Sequence, residues 1–295
     1  MGHYDDRMTG AVWRCREHVF PLGERTLVMG IVNVTPDSFS DGGLLGGTDE
    51  AVAHGLRMVA EGADILDVGG ESTRPGSDPV PVDDELARVV PVIAGVRRAG
   101  IALPLSVDTR RASVAEAALS AGATMVNDVS AGQDDPEMLA TCARHGAGIV
   151  LMHMKGRPAT MQREPHYEDV VGEVSAWLLE RSKAAVAAGV PAERVWIDPG
   201  IGFGKTFAHN EAILASLERF TALGPPVLLG ASRKGFLGAI TGRSVDARLA
   251  GSLACAARAF QAGAHAVRVH DVAETVDLLR VLERIAPVAT PRTDV

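Results

Sequence analysis

Cysteine is scarce in this chain, and the little there is cannot build a framework. Cys15, Cys142 and Cys255 are the 3 thiols among 295 residues. They are far apart, odd in number and include no Cys-x-x-Cys pair, which excludes a disulfide scaffold and a zinc knuckle and fits a reducing, cytoplasmic setting. An excess of positive charge is also absent. With 37 acidic against 29 basic residues and a net charge of −8, a general nucleic-acid coat is not expected, although a local basic pocket for an anionic ligand is still allowed. No apolar run approaches the roughly 20 residues of a membrane span. The first residues include Asp5, Asp6 and Arg7 and lack the apolar core of a signal peptide. Neither a Gly-x-Gly-x-x-Gly turn nor a Gly-x-x-x-x-Gly-Lys-Ser/Thr phosphate loop occurs, which counts against an open doubly wound sheet.

What the chain does have is repetition. Its 46% hydrophobic content and 32 glycines suit a large core and many tight turns. Eight short apolar segments recur: Leu27–Val34, Ala63–Gly69, Ala102–Asp108, Thr124–Asp128, Gly148–His153, Arg194–Asp198, Pro226–Gly230 and Ala264–Val269. Between or after them, helical periodicity marks Asp49–Glu61, Val82–Ala99, Arg111–Ala121, Pro136–His145, Tyr167–Ala188, His209–Ala222, Asp246–Ala262 and Ala273–Ile285. In the second of these, Leu86, Val89, Val90, Ile93 and Val96 fall on one helical face. Strands alternating with helices demand right-handed crossovers and a parallel sheet. Eight such units close as an α/β fold of the (β/α)8 TIM-barrel type over residues 27–287. Residues 1–26 form an N-terminal extension in which Val12–His18 and Gly23–Leu27 are candidates for a β-hairpin across the barrel bottom. Residues 288–295 form a Pro/Thr-rich tail expected to fray.

The strand tips carry chemistry. Asn33 opens the run Asn33-Val34-Thr35-Pro36-Asp37-Ser38-Phe39-Ser40-Asp41-Gly42-Gly43. This is longer than a tight turn needs and has the composition of a substrate lid; the Asn33 amide oxygen is a candidate Mg2+ ligand. The second loop offers Thr73, the forked guanidinium of Arg74, and Pro75. Arg268 and His270 lie on one side of the last strand, which barrel closure sets beside the first, facing Asn33. Together these make a plausible diphosphate cradle. Asp108, Asn127 and Asp198 end middle strands, where carboxylates and an amide suit a flat heterocycle rich in N–H groups. A helix cap is the alternative for each aspartate; it is weaker for Asp198, whose following Pro199-Gly200-Ile201-Gly202-Phe203-Gly204-Lys205 is a poor immediate helix start. Lys234 can donate to the heterocycle and Phe203 can stack on it. Arg233 is a brace or an oligomer contact, and His153 is either a ligand contact or a hydrogen-bonded strand end.

These residues sit in Met29–Gly43, Asp67–Ser77, Ser106–Arg110, Asn127–Ser130, Asp198–Lys205, Gly230–Gly238 and Arg268–Val272, and the set resembles the dihydropteroate synthase family over about residues 25–285. The resemblance implies an enzyme of folate biosynthesis. It would join 6-hydroxymethyl-7,8-dihydropterin pyrophosphate to p-aminobenzoate and release 7,8-dihydropteroate and diphosphate. It further implies that Asp108, Asn127, Asp198 and Lys234 bind the pterin, with Met152, Phe203 and Arg268 lining its pocket. Asn33, Thr73, Arg74, Arg268 and His270 would hold the pyrophosphate, Asn33 with Mg2+. Phe39, Thr73, Arg74, Pro75, Ser232 and Lys234 would surround p-aminobenzoate, and Thr35, Asp37 and Ser38 would belong to the lid. Asp108, Asp198, Lys234, Arg268 and His270 would carry the chemistry, in a homodimer joined by helices of the C-terminal half. A pterin-binding methyltransferase domain and a non-catalytic pterin-binding paralogue are the competing readings.

Overall fold

The computed structural model describes residues 12–23, 25–34, 43–72, 76–157 and 160–285. Eight parallel strands run β3 (Leu27–Asn33), β4 (Ile65–Gly69), β5 (Leu105–Asp108), β6 (Met125–Asp128), β7 (Gly148–Met152), β8 (Val195–Asp198), β9 (Leu228–Leu229) and β10 (Ala266–Val269), preceded by a hairpin of β1 (Val12–Cys15) and β2 (His18–Pro21). The helices between and after them are α1 (Gly43–Ala60), α2 (Val82–Arg98), α3 (Ala112–Ser120), α4 (Met138–His145), α5 (Val170–Ala187), α6 (Phe207–Ala215), α7 (Leu217–Thr221), α8 (Gly235–Thr241), α9 (Leu249–Gln261) and α10 (Val272–Ile285). The sheet is ordered β8-β7-β6-β5-β4-β3-β10-β9, so the last units fold back beside the first. A parallel bridge between Ile197 and Val227 joins the two ends, with the Ile197 N–H donating to the Pro226 carbonyl at 2.9 Å. The expected (β/α)8 barrel is the observed architecture. None of the described helices is long and apolar enough to cross a membrane.

Three local expectations need correction. The hairpin exists, but its strands pair Trp13 with Phe20 and Cys15 with His18, not Val12–His18 with Gly23–Leu27. Leu27 is taken by the barrel, where it registers with Ala266. The helix expected over His209–Ala222 begins earlier and breaks at Ser216 into α6 and α7. Thr206 sets the early start: its hydroxyl accepts the His209 N–H while His209 Nδ1 accepts the Thr206 N–H, a reciprocal cap. Strand β9 shrinks to two residues, because Pro225 and Pro226 have no N–H to give the ladder.

Alternation along the strands divides the interior in two. Outward residues such as Val28, Val68, Val107, Val126, Ile149, Ile197 and Val267 pack with the helices in one large cluster. Inward residues at the lower level, Leu27, Met29, Ile65, Met125, Val150, Trp196, Leu228 and Ala266, form a second cluster with Trp13 and Cys15 of the hairpin. Trp13 stacks on Phe20 at 5.3 Å and meets Trp196 edge-on at 5.0 Å. The extension is therefore a plug, and burial of a ring this size contributes roughly 2–3 kcal/mol.

Candidate active site at the barrel mouth

Two residues above that apolar layer the inward side chains change character. Ile65 gives way to Asp67, Met125 to Asn127, Trp196 to Asp198 and Ala266 to Arg268. Each step of two keeps the same inward side, so alternation alone converts a dry floor into a polar ring. Ser106 and Asp108 supply the share of β5, and Asp67 pairs in register with Ser106.

Arg268 organises this ring. Its Nε donates to Asp67 Oδ2 at 2.6 Å and a terminal nitrogen donates to Asp108 Oδ2 at 2.8 Å. Asn127 Nδ2 also donates to Asp67 Oδ2, at 3.0 Å. Asp67 is wholly buried, and among the described residues its Oδ1 and the Ser106 Oγ make no hydrogen bond. Burial drives the Asp108 carboxyl above the usual carboxylate range, opposed mainly by Arg268. Asp108 is not a helix cap, since the Ala112 N–H at the start of α3 goes to Asp135 instead. Asp198 is likewise raised by burial, against an accepted Gly200 N–H and the charge of Lys234; the N–H bond measures 2.7 Å.

The facing wall is apolar. Met152, Phe203, Val129 and Met161 form a small cluster joined by Met154, and Lys234 Nζ lies 4.0 Å above the Phe203 ring centroid. A planar ligand can therefore press one face on Phe203 and Met152 while its edge meets Asp108, Asn127 and Asp198. Asp128 points to the other side of β6. Its carboxylate accepts from Ser130 N–H and Oγ–H and from Gly132 N–H, and it shapes the following loop.

At the rim, His270 Nδ1 and Ser232 Oγ are 3.0 Å apart. His270 and Asn33 share a cleft of about 270 Å3 with Ile31, His54, Arg57, Met58 and Arg233. Arg233 resolves as a brace: its guanidinium forms a two-pronged pair with Asp271, and its N–H donates to Ser252 Oγ at 2.9 Å. His153 resolves as a hydrogen-bonded strand end, with Nδ1 2.9 Å from Lys205 Nζ. Thr73, Arg74 and Pro75, and Thr35, Asp37, Ser38 and Phe39, lie outside the described residues, as does the tail. The flanks of the second loop are firmly held. Glu71 pairs with Arg110 at 3.0 Å and Arg111 at 3.2 Å, and accepts the Val80 N–H. Among the described residues no group of three or more His, Cys, Asp or Glu is arranged to hold a metal.

The structure gathers Asp108, Asn127, Met152, Asp198, Phe203, Lys234 and Arg268, the residues expected to face the pterin, at the C-terminal end of the barrel strands. No role was expected for Asp67, which counting by twos from Ile65 would have found, for Glu71, whose partners Arg110 and Arg111 are remote in sequence, or for Lys205, half of whose acceptors lie on His153.

Comparison with known proteins agrees with this geometry. Residues 29–270 match the pterin binding enzyme family. The dihydropteroate synthase of Escherichia coli K12 is 45% identical over 256 residues, 87% of this chain and 90% of its own. Xanthomonas albilineans dihydropteroate synthase with 4-aminobenzoic acid superposes with a TM-score of 0.88 at 51% identity, covering 95% of this chain and all of that one. The same enzyme in complex with 7,8-dihydropteroate gives 0.84 at 48% identity over 94% of this chain and 99% of that one. A polar ring over a plugged floor, in a barrel that matches these enzymes almost end to end, places the chain in the dihydropteroate synthase family.

Proposed function

We propose that the barrel mouth condenses 6-hydroxymethyl-7,8-dihydropterin pyrophosphate with p-aminobenzoate, giving 7,8-dihydropteroate and diphosphate. The observation that carries this reading is the opposition of an Asp108–Asn127–Asp198 edge to a Met152–Phe203 wall, with Arg268 and Lys234 between them. The carboxylates accept from the ring and exocyclic N–H groups of the pterin, and Asn127 both accepts and donates. Phe203 covers a ring face and Lys234 donates to a ring heteroatom. Arg268 spends two donors on Asp67 and Asp108 and has others for the leaving diphosphate, beside His270 and Asn33. Ser232, hydrogen-bonded to His270, and Lys234 border the p-aminobenzoate side, which the resemblance also assigns to Phe39, Thr73, Arg74 and Pro75.

The chemistry follows from charge. The methylene C–O bond breaks with its electron pair leaving on diphosphate, and positive charge spreads into the pterin. Ionised Asp108 and Asp198 stabilise that charge in a water-poor pocket. The neutral arylamine nitrogen then forms the C–N bond and loses one proton. By the family resemblance, Thr35, Asp37, Ser38 and the second loop would keep water from the cation.

Asn33 offers one hard amide oxygen, and among the described residues no group of three or more His, Cys, Asp or Glu could hold a metal ion, which fits a Mg2+ ion that takes most of its ligands from diphosphate and water. Bound there, the ion would neutralise charge on the leaving group. Mass spectrometry of a reaction with purified protein should detect dihydropteroate, with at least a tenfold loss after chelation of Mg2+. Pterin binding without product would instead favour a non-catalytic or methyltransferase-like barrel. Full activity in chelator would remove the metal from the reading.

We further propose a cytoplasmic homodimer joined through C-terminal-half helices. The exposed apolar side chains Phe207, Ile240 and Val245 support that surface, and the three thiols are unpaired. Light scattering at micromolar concentration should give twice the 30.9 kDa chain mass; a persistent monomer would refute the dimer.

A further inference from the structure

We infer that Lys205 is a positioning residue for the pterin pocket: its ammonium occupies the inside of the loop between β8 and α6 and ties that loop to the end of β7. The inference rests on the pterin reading of the site.

Lys205 is only 1% exposed, and its Nζ touches no carboxylate among the described residues. It lies 2.9 Å from His153 Nδ1, 3.0 Å from the Gly200 carbonyl, 3.1 Å from the Phe203 carbonyl and 3.2 Å from the His153 carbonyl. An ammonium has three N–H donors, so four acceptors converge on three protons and the cation is fully clasped. Its charge is met by backbone dipoles, with Asp198 the nearby anion that favours it.

The loop needs such a fastening. Gly200, Gly202 and Gly204 all adopt positive φ, at 70°, 83° and 61°, and a segment so rich in glycine has little stiffness of its own. Yet it begins at Asp198, whose carboxylate accepts the Gly200 N–H, and it carries Phe203, the pterin wall. A Cβ on Gly200 would run into the His153 carbonyl, so loop and strand end approach as closely as backbones can. Further struts hold the far side. Tyr167 Oη donates to the Gly204 carbonyl at 2.9 Å, and Asn210 Oδ1 accepts the Gly202 N–H at 2.8 Å. The His153 ring is set edge-on against Trp177 at 4.8 Å. Burial and Lys205 hold His153 neutral, down to about 2, which leaves Nδ1 free to accept. Lys205 itself is lowered to about 7 by burial, against the charge of Asp198.

Lys205→Met keeps an unbranched side chain of similar volume, one atom shorter, and removes all three donors. Calorimetry with the dihydropterin pyrophosphate, on protein shown to be folded by circular dichroism and a cooperative melt, should give at least a tenfold weaker pterin affinity. The KM for p-aminobenzoate should stay within twofold and kcat at saturating pterin within threefold. A purely structural lysine would lower the active fraction without separating these constants. If Lys205→Met does not fold, His153→Leu, which deletes one acceptor, should weaken pterin binding at least threefold, and His153→Gln should recover most of it. Pterin affinity within twofold of wild type in the folded variant overturns the inference. Failure of the wild-type protein to bind pterin overturns the site reading itself, and the inference with it.

Discussion

Arg268→Met should lower the stability of the protein by about 3–5 kcal/mol at pH 8 and reduce turnover at least a thousandfold. The reason is local. Asp67 and Asp108 are buried, and the guanidinium donates to both. Without it Asp67 keeps one donor, from Asn127, and Asp108 loses its charged partner in a site where burial already disfavours the anion. Asp108 then stays protonated to higher pH in the folded state than in the unfolded chain. A raised folded value means that stability is greatest below the ordinary carboxylate range and is lost as pH rises. The deficit should therefore shrink at pH 5 and be largest above neutrality. Asp67→Asn added to Arg268→Met should restore part of the stability and none of the turnover. Urea titrations at pH 5 and pH 8 decide the matter. A change below 1 kcal/mol at both pH values would show that the fork contributes nothing net.

For Asp198→Asn the expected pattern is the opposite: a folded, equally stable protein that has lost its ligand. The replacement is isosteric, its Oδ1 can still accept the Gly200 N–H, and the buried carboxylate no longer has to be desolvated. Pterin affinity should fall at least a hundredfold, since hydrogen bonds to a charged acceptor are worth about 1.5–3 kcal/mol each. The wild type carries a pH signature of the same origin. Burial raises both Asp108 and Asp198, and the ligand needs them ionised, so affinity should decline as pH falls from 8 to 5. In Asp198→Asn only the Asp108 contribution survives, and the decline should be shallower. Calorimetric titration across that range tests both statements; affinity within threefold of wild type at pH 8 would remove Asp198 from the pterin edge.

Much of this is legible in the sequence. Apolar segments ending in polar groups located the strands and the mouth, because a parallel barrel gathers every strand tip at one end. The inward parity of Asn127, Asp198 and Arg268 follows from period two alone. What escaped was non-local. Nothing near Lys205 in sequence announces that four acceptors, two of them on His153, will surround it, and a lysine after glycine reads as exposed. Glu71 reads as a turn residue until Arg110 and Arg111 arrive from the next unit. The break at Ser216 and the hairpin register depend on which neighbours claim Leu27 and on a cap at Thr206. Residues 35–42 and 73–75, where the sequence puts the lid and the second loop tip, lie outside the described residues.

The tryptophan plug at the bottom of the barrel has a kinetic meaning as well as a structural one. With Trp13 wedged against Trp196 and ringed by Leu27, Met29, Ile65, Met125 and Val150, the cylinder is a cup with a single doorway. Both reactants and both products must queue through that doorway. A molecule seated on the polar ring near the floor has to enter before anything lodged at the rim and cannot depart until the rim is clear. The hairpin that closes the floor thus stands at the opposite end of the barrel from the polar ring, and shares with it only the strands between.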